Sequence, residues 1–265
     1  MDSDGCAMDT MDIKHFRCFG PCMVDEWELW QWGDDILRYW NDVNLYTMTR
    51  GINRFRALAT VLSYVSEKYA KIEDIDDLVV FAENSPELSN NAIALAIQKN
   101  PESCSLKKSL SWSLAVNEAI AKLPEDEVHP FPMAREALEF AHRHADVAIV
   151  SSANLDAVLA EWKKHGLLQH TDIVMAQNSG SKAACIAALL KKGYEQKNVI
   201  MCGDAPGDLA AAQKNGVYFF PILVGREGDS WREFIDTATG KLISGTYGDG
   251  YNDAKVEEFI SNLNK

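Results

Sequence analysis

The chain has 265 residues, of which 47% are hydrophobic and 25% charged, and its formal net charge at pH 7 is −13. This balance is typical of a folded globular protein with one or two domains. The negative charge argues against nucleic acid or an anionic membrane surface as a partner, so an anionic substrate would need a basic pocket or a metal ion. No apolar run reaches the length of a membrane span and no secretory leader is evident, so we expect a cytoplasmic protein with reduced cysteines.

Two aspartates, Asp2 and Asp4, stand at the start of the chain, with a serine between them and Gly5 after them. In an extended segment, residues i and i+2 point to the same side, so both carboxylates could address one reacting centre. One of them would act as a nucleophile and the other would move a proton. The alternative is an acidic terminus without a catalytic role.

Residues 11 to about 128 show the pattern of a long and mainly helical region, with helices expected at 90–99 and 106–123. Aromatic side chains recur near its start at loosely helical intervals, and we assign them to the core of this region: Trp27, Trp30, Trp32, Tyr39, Trp40 and Tyr46. This region therefore reads as a separate helical insertion.

Three arginines within seven residues follow these aromatics, at positions 50, 54 and 56. Arg50 and Arg54 are four residues apart, so they would share one face of a helix. Converging guanidinium groups suit a phosphate or a carboxylate of a ligand. The alternative is a solvated basic face.

From residue 129 onward short apolar strands alternate with helices, and strands are expected at 146–150, 173–175, 199–202 and 218–224. The first strand ends in Ser151 and Ser152, where hydroxyl and backbone N–H groups can hold a phosphate oxygen or cap the next helix. Lys182 stands at the start of a later helix and can reach the same edge of the sheet as a point charge. A lone lysine, however, usually faces solvent.

The stretch 198–217 carries the clearest signal. Its apolar strand ends at Gly203 and Asp204, and Asp208 opens an alanine-rich helix that ends near Gly216. The two carboxylates therefore lie at the carboxyl end of a strand, where open α/β sheets bind their ligands. Such a pair suits Mg²⁺, whereas the alternative is a turn with Asp208 as the N-cap of the helix.

In chain order, these features resemble the four motifs of the haloacid-dehalogenase-like superfamily: Asp2-Ser3-Asp4-Gly5, Ser151 after a strand, Lys182 at a helix start, and Gly203-Asp204-x-x-x-Asp208. The resemblance covers residues 1–12 and about 129–224. It implies an α/β fold with a Rossmann-like core of parallel strands. Residues 1–12 and 129–265 would form the catalytic core, and residues 13–128 a helical cap domain.

The resemblance also implies catalytic roles. Asp2 would be the nucleophile that forms an aspartyl-phosphate, and Asp4 would protonate the leaving oxygen and then activate water. Ser151, with Ser152 beside it, would bind the phosphoryl group, and Lys182 would offset negative charge.

The implied metal is Mg²⁺, held by four residues: Asp2, Asp4 through its backbone carbonyl, Asp204 and Asp208. The cap would set specificity, and Arg50 and Arg54 are the candidate substrate-binding residues within it. The implied partner is a small phosphorylated substrate, whereas the sequence does not determine the oligomeric state.

Two departures from the family pattern stand out. Cys6 takes the place of the usual threonine, which removes one hydroxyl donor. Only Met1 precedes Asp2, whereas the family has a central strand there. We therefore expect the first core strand to be missing and the chain to begin downstream of its natural start; the alternative is that another segment fills the gap.

The sequence thus predicts a Mg²⁺-dependent phosphomonoester hydrolase that acts on a small phosphorylated metabolite through an aspartyl-phosphate intermediate. A dehalogenase is disfavoured because Asp4, which serves phosphoryl leaving groups, is present. The alternatives are a phosphomutase of the same superfamily, and a non-catalytic binding protein that retains the fold.

Overall fold

The structure is a computed structural model that describes residues 1–264, apart from the side chain of Glu125. Its contacts divide the chain into two compact units. Unit 1 consists of Met1–Met11 and Asp126–Lys265, and unit 2 consists of Asp12–Glu125.

Short strands form the centre of unit 1: β1 (Met8–Asp9), β2 (His129–Pro130), β3 (Ala148–Val150), β4 (Ile173–Met175), β5 (Ile200–Gly203) and β6 (Tyr218–Pro221). Strands β3 and β4 pair in parallel, as do β5 and β6, whereas β1 and β2 form a two-residue antiparallel pair. Ile173 lies opposite Ala148, and Tyr218 opposite Ile200.

Met1 and Asp2 lie between the two parallel pairs. The amino group of Met1 donates to the Ala148 carbonyl (2.7 Å), and the Met1 carbonyl accepts from the Val150 N–H (2.8 Å). On the other side, the Asp2 N–H donates to the Cys202 carbonyl (2.9 Å). The order across the sheet is therefore β4, β3, Met1–Asp2, β5, β6. Two residues hold the position in which the sequence analysis expected a missing strand.

Helices supply the rest of the chain: α1 (Met11–Lys14), α2 (Gly20–Glu26), α3 (Gly33–Asn41), α4 (Arg54–Lys68), α5 (Ile75–Asn84), α6 (Asn90–Lys99), α7 (Cys104–Ala121), α8 (Ala134–His142), α9 (Leu155–Lys164), α10 (Lys182–Leu190), α11 (Pro206–Asn215), α12 (Glu227–Glu233), α13 (Thr239–Ile243) and α14 (Tyr251–Leu263). Segments His15–Phe19, Asp42–Tyr46 and Phe234–Ala238 are π-helical, and short 3-10 turns include Trp30–Trp32 and Gln177–Ser179. Within residues 1–264 no helix has the length and apolar character needed to cross a bilayer.

Alternation along β5 and β6 builds a core on both faces of the sheet. Met201 and Phe219 point into one hydrophobic cluster, and Cys202 and Phe220 into another. Helices α10, α11 and α14 contribute to the first cluster, and α8, α9 and α12 to the second. This confirms the α/β fold class, because parallel strands covered by helices on both faces are the architecture predicted from the sequence.

Unit 2 packs its helices around a few large aromatic side chains. The Trp40 and Trp112 ring centroids are 5.9 Å apart, and Phe55 lies edge-on to Trp112 at 6.3 Å. The assignment of all early aromatics to this core was wrong in part, since Trp30 is 56% and Tyr46 38% exposed. The 3-10 turn after α2 breaks the helical period and turns Trp30 outward.

Candidate active site

Three buried carboxylates come together in unit 1. Asp2 is 6% exposed, and Asp204 and Asp208 are fully buried. One oxygen of each lies within 4.8 Å of an oxygen from the other two. The sheet explains the meeting, because Asp2 follows the central segment, Asp204 follows β5, and Asp208 lies in the first turn of α11.

Lys182 is the cation of this cluster. It begins α10, where the Ser181 side chain caps the helix by accepting from the Ala184 N–H. The Lys182 ammonium donates to Asp2 Oδ2 and to Asp208 Oδ1, the latter at 2.5 Å. Only 15% of its side chain is exposed. The structure therefore places Lys182 at the carboxylates and not in solvent.

The electrostatics of the cluster are unbalanced. Burial raises the pKa of Asp2 to about 8, because desolvation and the neighbouring Asp208 and Asp204 charges outweigh the opposing effect of Lys182. Burial would lower the pKa of Lys182, but the Asp2 and Asp208 carboxylates hold it well above its usual value. Asp2 and Asp208 share the ammonium of Lys182, and Asp204 belongs to the same cluster, so the site favours an added proton or cation.

The donor set fits a hard divalent cation. All three groups offer carboxylate oxygen, they are mutually close and buried, and their summed negative charge exceeds that of Lys182. Mg²⁺ prefers such oxygen ligands and retains part of its water shell. Asp2, Asp204 and Asp208 are thus the residues that could hold it.

The Asp208 side chain packs directly against the Gly203 Cα, where there is no room for a side chain. A Cβ atom on Gly203 would lie 2.3 Å from the Asp208 Cβ, so a glycine is required at this position. Helix α11 begins at Pro206, and Asp208 Oδ2 accepts from the Ala205 N–H at 3.2 Å. The alternative of Asp208 as the N-cap was therefore wrong. Ala205 is the N-cap, and Asp208 is the third residue of the helix, from which its carboxylate accepts the Ala205 N–H.

The segment after Asp2 is a tight turn. The Ser3 carbonyl accepts from the Ala7 and Met8 N–H groups, and Gly5 has φ of +76°. The chain also bends at Ser3, so the extended geometry assumed for the pair Asp2 and Asp4 was wrong. Asp4 does not belong to the group of clustered carboxylates found among the described residues.

Asp4 is held instead by a residue that sequence reasoning missed. The Thr10 hydroxyl donates to Asp4 Oδ1 at 2.6 Å, and Thr10 is fully buried. Nothing in the local pattern points to this bond, because it depends on the path of the turn between the two residues.

Two buried indoles support the same turn. Trp162 donates from Nε1 to the Ser3 hydroxyl (2.8 Å), and Trp231 donates from Nε1 to the Cys6 carbonyl (3.1 Å). Burial raises the pKa of the Cys6 thiol well above its usual value, so the thiol is neutral. The sulfur atom of the thiol lies 3.7 Å from the Cys202 carbonyl oxygen. The cysteine that replaces the usual threonine therefore fills a packed position.

Of the two predicted serines, Ser151 is buried and Ser152 exposed. The Ser151 hydroxyl accepts from the Ala153 N–H at 3.1 Å, and Ser151 directly follows Val150, which bonds Met1. The N-cap of α9 is Asn154, whose side chain accepts from the Asp156 N–H. Ser151 therefore stands at the strand end next to the one that carries Asp2.

The two predicted arginines lie in unit 2, and their expected geometry was wrong. Helix α4 begins at Arg54, so Arg50 precedes it and the two do not share a helix face. Arg50 is 3% exposed and donates to the Leu45 carbonyl at 2.8 Å. Arg54 donates to the Ser113 carbonyl and hydroxyl and to the Asn117 side chain. Both guanidinium groups take part in the packing of this unit.

Comparison with known proteins identifies the family. The model of the family described as haloacid dehalogenase-like hydrolase matches residues 52–222. The chain belongs to this family. The match includes Ser151, Lys182, Asp204 and Asp208, whereas Asp2 and Asp4 lie before its start. No match was found among curated proteins.

Two solved structures of low sequence identity are similar to this haloacid dehalogenase-like hydrolase. A proposed phosphoglycolate phosphatase from Lactobacillus delbrueckii subsp. bulgaricus is 15% identical, with 93% of this chain and 96% of that one covered and a TM-score of 0.50. A haloacid dehalogenase-like family hydrolase from Streptococcus pneumoniae is 13% identical, with 88% of each chain covered and a TM-score of 0.43. The first of these likenesses supports the fold assignment.

Proposed function

We propose that this hydrolase is a Mg²⁺-dependent phosphatase that acts on a small phosphorylated metabolite. The observation that carries the proposal is the buried group of Asp2, Asp204 and Asp208 with Lys182 bonded to two of them. A buried excess of negative charge is costly unless a cation or proton offsets it. A phosphatase site uses such a group to bind a metal ion and to supply a nucleophile.

The proposed reaction proceeds in two displacements at phosphorus. An Asp2 oxygen attacks the phosphorus, and the bond to the ester oxygen breaks with its electron pair on that oxygen. Asp4 gives the leaving oxygen a proton. Asp4 then removes a proton from water, the water oxygen attacks the phosphorus of the aspartyl-phosphate, and phosphate leaves Asp2.

Other residues of this chain orient the groups that react. Lys182 holds Asp2 Oδ2 and the Ser3 N–H holds Asp2 Oδ1 at 2.8 Å, so the carboxylate has a fixed direction. Thr10 holds Asp4 through a 2.6 Å bond. The Ser151 hydroxyl would donate to a phosphoryl oxygen while accepting from Ala153. Charge-assisted contacts of this kind stabilise a transferring phosphoryl group.

Mg²⁺ would be held by Asp2, Asp204 and Asp208 with the Asp4 carbonyl, and when bound it supplies positive charge to the phosphoryl oxygens. We further propose that unit 2 determines which phosphate ester is accepted. Arg50 is buried and Arg54 half-buried, and both bond other groups of this unit, so we expect any direct role of these two arginines in substrate binding to be secondary to packing.

The test is hydrolysis of 4-nitrophenyl phosphate with and without Mg²⁺ by the wild-type chain, by Asp2→Asn and by Asp9→Asn. We expect Mg²⁺-dependent release of phosphate by the wild type and a loss of about 10³-fold or more in Asp2→Asn, because an amide is a poor nucleophile. Asp9→Asn is the matched control, since Asp9 is not among the clustered carboxylates, and it should retain activity.

Equal rates for Asp2→Asn and the wild type would contradict the proposed nucleophile. Mg²⁺ binding by the wild type without any turnover of aryl or sugar phosphates would favour the non-catalytic binding protein. Transfer of phosphate between positions of a sugar phosphate, in place of its release, would favour the phosphomutase.

A further inference from the structure

Ser3 lies next to the proposed nucleophile and is held at three points. Its N–H donates to Asp2 Oδ1 at 2.8 Å, and its carbonyl accepts from the Ala7 and Met8 N–H groups at 3.0 and 2.9 Å. Its hydroxyl accepts from Trp162 Nε1 at 2.8 Å. Ser3 and Trp162 are both fully buried, so bulk water does not compete for this third bond. The bond joins the turn after Asp2 to a residue 159 positions away.

Helix α9 holds the indole in place. The helix begins after its N-cap Asn154, shortly beyond Ser151, and the Trp162 carbonyl near its other end accepts from the Leu167 N–H at 2.9 Å. Long side chains on a helix point back toward its N-terminus, and the bond to Ser3 shows that this indole reaches the catalytic end of the sheet. One helix therefore connects the residue proposed to bind the phosphoryl group with the residue beside the nucleophile.

The acceptor of this indole distinguishes it from a neighbouring one. A buried indole N–H needs an acceptor in any fold, and Trp231 meets this need with the Cys6 carbonyl. Trp162 instead bonds a side chain, on the residue whose backbone N–H orients the Asp2 carboxylate. Rotation of Ser3 would move that N–H, and the bond to Trp162 opposes this rotation.

We propose that Trp162, through the Ser3 hydroxyl, is a positioning residue for the nucleophile Asp2. The inference rests on the proposed function, because it concerns the attack of Asp2 on phosphorus. Attack needs the carboxylate oxygen in line with the bond that breaks, and a small error in position lowers the rate strongly. Trp162 acts through Ser3, so it contributes to the rate of attack and not to substrate binding.

Two substitutions remove this bond from its two ends. Ser3→Ala removes the acceptor and Trp162→Phe removes the donor, and both keep the backbone bonds of Ser3. We expect kcat/KM for 4-nitrophenyl phosphate to fall by about tenfold in each variant, with KM within about twofold of wild type. The double variant should lose no more than the larger single loss, because both changes remove the same bond. Trp162→Phe carries the test alone if Ser3→Ala does not fold.

The leaving group distinguishes an effect on Asp2 from an effect on Asp4. Phenyl phosphate has a more basic leaving oxygen than 4-nitrophenyl phosphate, so its hydrolysis depends more on the proton from Asp4. We expect Ser3→Ala and Trp162→Phe to lower kcat/KM by the same factor for both esters. Thr10→Val, which removes the bond to Asp4, should lower it more for phenyl phosphate.

Tyr247→Phe is the matched control for the loss of one buried donor. The Tyr247 hydroxyl is fully buried in the same unit and donates to the Phe219 carbonyl at 2.9 Å. We expect a fall in melting temperature comparable to that of Ser3→Ala, with kcat/KM within about twofold of wild type. A bond that serves stability alone would leave the activity of Ser3→Ala at the level of this control.

The possible results separate the inference from the proposed function. Wild-type kcat/KM in both Ser3→Ala and Trp162→Phe, assayed below their melting temperatures, would overturn the inference and leave the proposed function standing. A larger loss on phenyl phosphate than on 4-nitrophenyl phosphate in these variants would also overturn it, since the bond would then act through Asp4. A wild-type chain that turns over neither ester would contradict the proposed function itself, and the inference with it.

Discussion

Buried charge is handled differently in the two units. In unit 1, the carboxylates of Asp2, Asp204 and Asp208 are clustered, and Lys182 bonds Asp2 and Asp208. In unit 2, the half-buried Arg54 guanidinium bonds three neutral acceptors: a carbonyl, a hydroxyl and an amide. The first arrangement accumulates repulsion, whereas the second satisfies hydrogen bonds.

This difference in hydrogen bonding distinguishes the candidate active site of unit 1 from the structural contacts of unit 2. Like charges that are brought together in a buried place cost free energy, and a fold retains them where they serve chemistry. A half-buried arginine that bonds neutral acceptors instead joins segments of the chain, and Arg54 joins α4 to α7 in this way. Substitutions in each of these two arrangements should therefore have different effects on activity and on stability.

Removal of the cation in unit 1 should have the largest effect. Lys182→Met leaves the buried carboxylates without their ammonium, so we expect phosphatase activity to fall by about 10³-fold and the Mg²⁺-free free energy of unfolding by about 3 kcal/mol. Activity assays and urea unfolding measure these effects. Lys191→Met, at the exposed C-cap residue directly after the same helix, is the control. If the Lys182→Met enzyme were as active as the Lys191→Met control, the proposed role of Lys182 at the carboxylates would be contradicted.

Crowding of a carboxylate should have the next largest effect. In Gly203→Ala, the added methyl group collides with Asp208, so we expect a loss of about 2 kcal/mol in unfolding free energy and weaker Mg²⁺ binding. The matched Gly207→Ala places its methyl group in open space within α11 and should be neutral or stabilise by up to about 1 kcal/mol. Thermal unfolding with and without Mg²⁺ distinguishes them, and equal behaviour of the two variants would refute the fit of Gly203 to Asp208.

Loss of a guanidinium in unit 2 should have the smallest effect. Arg54→Met removes three hydrogen bonds to α7, so we expect a loss of about 1–3 kcal/mol in unfolding free energy with aryl phosphate turnover within about twofold of wild type. Arg56→Met, which removes one bond to the Ala82 carbonyl, should lose less. Unchanged stability together with a large rise in KM for a phosphorylated substrate would return Arg54 to its predicted role in substrate binding.

Much of the fold and of the carboxylate cluster follows from local sequence. Strand β4 and helix α6 have the predicted bounds, since an apolar β run and a Ser-capped helix are local signals. Asp204 and Lys182 could be placed near one another because parallel strands end at one edge of the sheet. Strand β6 ends earlier than predicted, because the Leu223 N–H turns to the Ser230 hydroxyl.

Contacts between distant segments could not be predicted. Trp162 meets Ser3 across 159 positions, and Thr10 meets Asp4 through a turn whose shape depends on Gly5 and buried neighbours. Periodicity gives the face of a helix on which a residue lies but not its partner on another element. The wrong helix start placed Arg50 on the face of Arg54 for the same reason, since Asn53 begins the helix by capping it.

Mg²⁺ titration of the melting temperature tests most directly whether the buried carboxylates of unit 1 form a metal site. We expect a saturable rise in wild type, with an apparent affinity for Mg²⁺ that is higher at pH 9 than at pH 7. At pH 7 the ion must displace the proton that Asp2, with a pKa of about 8, retains.

Two variants complete the titration. Asp204→Asn should bind Mg²⁺ at least about tenfold more weakly, and Asp236→Asn, on an exposed segment, should behave as the wild type does. A melting temperature that does not respond to Mg²⁺, or an equal response in Asp204→Asn and wild type, would contradict the account.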